Sequence, residues 1–217
     1  MKKAIFLLVS AVLACTLCRA QDFAVVNEND GPIDAIYTLQ SDFPINLGKG
    51  TKVKVTVDFS EARLVRFEND LRTIKEDLGT PTEYFSSRGE KALENWPARI
   101  YMMSKNACGY LHRTFGGDFD VLVKGDDQGD MDFQYLIVTR IGLFDFGRFV
   151  PIGGAKDGGT VTKGIVEVYE KDHDLVGVYD INYLRGLNVG YVNDDRLAEW
   201  GKCFAKEFKK TLGNGKK

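Results

Sequence analysis

Lys52 to Phe59 is the stretch that most constrains how this chain can fold. Val53, Val55, Val57 and Phe59 alternate strictly with Lys52, Lys54, Thr56 and Asp58. Successive side chains of a strand point to opposite faces, so one face of this strand is buried and the other is wet. A half-buried strand needs a cover. The 44% hydrophobic, 28% charged and 12% aromatic composition is that of a chain able to bury one, and it excludes disorder, collagen-like sequence and a disulfide-stapled miniprotein.

Helical patterns supply the cover. Trp96-Pro97 reads as a helix start, because proline suits the first turn. Ile100, Met103, Ala107 and Leu111 form the apolar stripe of that helix, and Gly116-Gly117 ends it. A second helix begins at Asn193 or Asp194, where a cap and acidic residues suit the positive helix end. Leu197, Trp200, Phe204 and Phe208 make its stripe, with Lys206, Lys209 and Lys210 near the negative end. Phe67, Leu71, Ile74 and Leu78, spaced i, i+4, i+7 and i+11 and stopped by Gly79, read as a short accessory helix. Thr80 to Glu94 reads as a long irregular connection.

The remaining strands are Asp118 to Val123, Phe133 to Phe146, and a hairpin of Thr160 to Glu170 with Leu175 to Leu184 around Lys171-Asp172-His173-Asp174. They are expected to pair as a meander. The order predicts an α+β fold, a mostly antiparallel sheet of about five strands with helices on one face and the two long helices antiparallel. The expected divisions are a signal peptide at 1–20, an N-terminal extended segment at 21–50, one α+β domain at 51–213 with an insertion at 66–95 holding the short helix, and a tail at 214–217. Two large domains are not expected from 217 residues.

Met1-Lys2-Lys3 is a positive n-region, and Ala4 to Leu13 is an apolar run of signal-peptide length, too short to span a bilayer. Export to the periplasm or beyond is therefore expected. Cys18-Arg19-Ala20 resembles a cleavage site before Gln21. Val12-Leu13-Ala14-Cys15 resembles a lipoprotein box, which would make Cys15 a lipid anchor and the protein a membrane-anchored lipoprotein. A membrane is an expected partner only in that second case. Cleavage after Ala20 leaves Cys108 and Cys203 in an oxidising compartment, where a Cys108–Cys203 disulfide and two separate thiols are both open. The net charge of −2 falls further when Lys2, Lys3 and Arg19 leave with the signal, and no basic stripe remains. Nucleic acid is not an expected partner.

Lys52 to Ser60, the Trp96 helix, the strand around Tyr135 to Ile141, the Gly164 to Tyr169 strand and the closing helix near Asp195-Arg196 resemble an uncharacterised family of exported α+β proteins from Bacteroidetes-type bacteria. The outline is also similar to small envelope modules of the TolB N-terminal, curli-secretion lipoprotein and penicillin-binding-protein-activator kind. The resemblance implies an exported envelope protein; it implies no activity and carries over no functional residue. The insertion departs from those compact modules.

Motifs for chemistry are sparse. His173 sits in a turn between two aspartates and reads as solvated. Cys108 and His112, four apart on one helix, have the spacing of a thiolate–imidazole pair or of two zinc ligands, yet a metal needs further ligands and a nucleophile needs a lowered thiol pKa. Gly125 to Asp132 holds four carboxylates but not an EF-hand frame, since Met131 stands where the loop needs glycine and Ile137 where it needs glutamate. Gly153 to Thr160 is glycine-rich, but Lys156 is misplaced for a phosphate loop. No metal and no cofactor is expected, and Asp194-Asp195 reads as capping. The expectation is a non-catalytic cell-envelope protein presenting a surface to a protein partner. The alternative is a glycan- or peptide-binding module, or a hydrolase, with Arg148, Tyr183, Arg185 and Tyr191 as an aromatic and cationic rim.

Overall fold

A computed structural model describes residues 35–41, 44–68, 73–122, 132–147, 159–172, 174–186 and 193–214, with side chains from 197 to 213 in the last segment. The signal segment with Cys15, Cys18 and Gln21, most of the 125–132 acidic run, His173, the 153–158 glycine run, and Arg148 and Tyr191 lie outside the described residues. The elements are β1 (Ile36–Ser41), β2 (Lys52–Asp58), β3 (Arg63–Phe67), β4 (Ile74–Gly79), α1 (Pro81–Ser86), α2 (Glu90–Phe115), β5 (Asp118–Val121), β6 (Tyr135–Asp145), β7 (Val161–Glu170), β8 (Leu175–Arg185) and α3 (Asn193–Asn214).

The fold is α+β, but the sheet has eight strands rather than about five, and it is mixed. Its main order is β1-β8-β7-β6-β2-β5, with β3 on β6 and β4 on β3. β2 runs parallel to both β5 and β6, and β3 runs parallel to β6. The β2–β5 pair follows from connectivity: α2 carries the chain from one end of the sheet back to the other, and a crossover helix between two strands leaves them parallel. The expected meander holds for β6, β7 and β8, which pair antiparallel. β5 does not join it, because β2 lies between β5 and β6.

Four local readings change. The Phe67 to Leu78 region is an antiparallel hairpin, not a helix; register shifts after Leu64 and Arg66 break the strand alternation there. The 80–94 stretch is ordered: Thr80 and Glu83 form a capping box that opens α1, with Glu83 Oε2 accepting from Thr80 N at 2.7 Å. α2 begins at Glu90 after Gly89, whose φ of 102° suits glycine, so Pro97 sits inside the helix and does not start it. The extended N-terminal segment contributes an edge strand, β1.

α2 and α3 lie side by side over one sheet face, and they run parallel. Lys209 Nζ donates to the Thr114 carbonyl at 2.8 Å, the Phe115 and Phe208 rings are 6.3 Å apart, and a Cβ on Gly201 would stand 2.9 Å from the Ala107 nitrogen. Position numbers rise together on both helices, contrary to the antiparallel expectation. The strands explain this, since β8 runs the same way as β2, and α2 runs back along β2 as α3 runs back along β8. The close Gly201–Ala107 approach exists because neither residue puts bulk between the axes.

Val53, Val55, Val57, Ile137, Ile141, Val166, Val168, Tyr179 and Ile181 form the floor of the main core, under Met103, Ala107, Leu111, Trp200, Phe204 and Phe208. Trp200 stacks on Phe204 at 5.1 Å and donates its indole N–H to Thr162 Oγ1 at 2.9 Å. Ser104 donates to the Ile100 carbonyl and accepts from the Val57 N–H at 3.1 Å, which pins α2 to β2. Beyond α2, Phe59, Phe85, Trp96, Phe144 and Phe146 make an aromatic knot, with Phe85 on Trp96 at 4.6 Å and Phe144 against Phe146 at 4.8 Å.

Candidate functional site

The strand alternation that buries Val53, Val55 and Val57 turns Lys52, Lys54, Thr56 and Asp58 to the second face of the sheet, away from α2 and α3. This face carries cross-strand charge pairs. Lys54 Nζ donates to Asp120 on β5 at 2.8 Å, and Lys52 pairs with Asp132. Arg140 on β6 donates through Nη1 to Asp58 at 2.9 Å and through Nε to Glu167 on β7 at 2.8 Å. Tyr169 donates its hydroxyl to Glu167 at 2.8 Å. Directly opposed and diagonal neighbours across strands are the pairs a sheet brings into reach. Burial, then the Glu167 carboxylate, pushes the Tyr169 hydroxyl up to about 12, and the Lys54 ammonium holds Asp120 below the usual carboxylate range against a smaller opposing effect of burial.

Two small apolar clusters flank this stripe. Phe133, Leu136 and Val138 pack with Leu122 and Tyr169 at one end. Val65, Phe67 and Val161 pack with Leu143 and Tyr183 at the other. Beside the second cluster, the Asp145 carboxylate accepts the Phe67 N–H at 2.9 Å and the Gly147 N–H at 2.8 Å, with Arg66 at 3.8 Å. The Lys163 ammonium lies 6.0 Å from the centre of the Phe67 ring.

Of the rim residues expected from sequence, Tyr183 and Arg185 are on β8, while Arg148 and Tyr191 lie outside the described residues. Tyr183 packs against Val65, Phe67 and Val161, and its N–H donates to the Ala35 carbonyl at 3.4 Å, which ties β8 to the start of β1. Arg185 pairs in register with Val161. Tyr183 is therefore half a core residue, and the structure joins it to β1.

β1 itself was not singled out by sequence reasoning. Among the described residues it pairs only with β8, and no described strand lies on its far edge. Its sequence, Ile36 to Ser41, holds no charge and no proline, the residues natural edge strands use to block further pairing. Tyr37 is 40% and Leu39 42% exposed. A bulge between Thr38 and Gln40 is its one protective irregularity. The signal was present, since aromatic and branched residues cluster there.

Cys108 and Cys203 are both thiols. Cys203 is two residues from Gly201, so at 100° per residue it lies far around α3 from the side that meets α2. Burial pushes the Cys108 thiol up to about 12, the reverse of an activated nucleophile, and His112 Nδ1 hydrogen-bonds the Gly117 carbonyl at 2.7 Å. Among the described residues no three His, Cys, Asp or Glu side chains are grouped to hold a metal ion. No described helix is long and apolar enough to cross a membrane.

No protein-family model matches this chain, and no curated protein matches it. Similar solved structures include a dodecamer of a PelC point variant from Paraburkholderia phytofirmans, 11% identical, covering 80% of this chain and 99% of that one at a TM-score of 0.40. A PelC dodecamer from the same organism is 9% identical, covering 78% and 96% at a TM-score of 0.37. These values describe a likeness of outline only.

Proposed function

We propose that this chain is an exported, non-catalytic cell-envelope protein that binds another protein by accepting a strand from it at β1. The observation that supports this reading is the uncharged edge of β1, on which no described strand lies, with Tyr37 and Leu39 40% and 42% exposed. Strand addition supplies affinity through main-chain hydrogen bonds, and alternate side chains supply specificity. The charged stripe lies across β5, β2, β6 and β7, with β8 between it and β1, and its charges pair with one another, so it adds little affinity at the β1 edge. The rim reading for a glycan or peptide has less support, because Tyr183 spends much of its ring on the Val65 and Phe67 cluster.

The test is affinity capture from envelope extract with mass-spectrometric identification, run in parallel on the wild-type chain, Leu39→Pro and Lys206→Ala. A partner held by wild type and Lys206→Ala but lost from Leu39→Pro supports the proposal, provided circular dichroism shows that variant folded. Tyr37→Lys and Leu39→Lys, which keep the backbone donors, are the second arm and are expected to weaken capture. Equal recovery from every variant overturns the β1 reading. Intact mass beginning at Gln21 supports export by simple cleavage, and a diacylated or triacylated Cys15 contradicts it.

A further inference from the structure

We draw no further inference here: the strongest candidate, the exposed surface patch of Tyr101 and Met102 on the outer face of α2, is an unpartnered helix face, and nothing in the structure shows what covers it.

Discussion

The two faces of the sheet solve the same problem by different chemistry. The face under α2 and α3 is filled by Val53, Val55, Val57 and the Trp200, Phe204 and Phe208 stack, with Ser104 of α2 accepting from the Val57 N–H and Thr162 accepting from the Trp200 indole. The other face carries Lys54 with Asp120 and the Asp58–Arg140–Glu167–Tyr169 chain. Apolar burial is worth roughly 25 cal/mol per Å², whereas exposed ion pairs contribute about 0–1 kcal/mol each. The covered face therefore holds the fold together. The charged face adds little to that stability.

The largest expected effect comes from breaking the covered face. Trp200→Ala removes a side chain with no exposure and an indole hydrogen bond and should cost about 3–5 kcal/mol. Lys206→Ala on the outer side of the same helix should stay within about 0.5 kcal/mol. Denaturation midpoints measure both, and equal midpoints would show that the two sides of α3 do not differ as described.

Gly164→Ala comes next. A Cβ there would stand 2.1 Å from the Arg140 carbonyl oxygen, inside the β6–β7 pairing, and backbone has nowhere to yield except by parting the strands. Overpacking of this kind costs about 1–3 kcal/mol, occasionally more. A thermal melt unchanged from wild type would refute the close approach.

On the charged face, Arg140→Ala should lower stability by only ~0.2–1 kcal/mol, because the guanidinium is half exposed and its two carboxylates keep access to water. A loss as large as that of Trp200→Ala would erase the contrast between the faces.

Acid sharpens the same comparison. Asp120 is held low by Lys54, and Asp77 by Arg63 and the Gly79 N–H against the opposing effect of burial. A carboxylate whose folded pKa lies below its unfolded value contributes stability that is fully present above about pH 4–5 and is lost as pH falls through the folded value. The Asp120 and Asp77 carboxylates both stay open to water, so each loss should be under about 1 kcal/mol. Stability measured by urea titration from pH 6 down to pH 2 should fall, and Lys54→Met should flatten part of that fall.

How much of this was legible in sequence depended on period. Val53, Val55 and Val57 kept a strict period of two and placed β2 correctly. Phe67, Ile74 and Leu78 matched a helical spacing because the β3–β4 hairpin carries two register shifts that hide its alternation. Pro97 suggested a helix start since proline fits a first turn, yet α2 accommodates it inside, and the real start at Gly89 and Glu90 lay in a charged stretch without an apolar stripe. The parallel pairing of β2 with β5 was implied by a helix between two strands. What the sequence could not place was β6 on the far side of β2, because nothing local distinguishes adjacent from skipped strands. The candidate site was half legible: Tyr183 and Arg185 were named, but β1, which Tyr183 adjoins, is short and gives one buried residue, Ile36, to the core.

Among the described residues β1 is an edge strand, and amide hydrogen exchange of the purified chain tests, without any partner, whether that edge is open. The N–H groups of Ile36–Ser41 that turn away from β8 should exchange orders of magnitude faster than those of β6 and β7, which are bonded on both sides. Protection of β1 as strong as that of β7 would mean that its edge is already occupied, and would contradict the strand-accepting role.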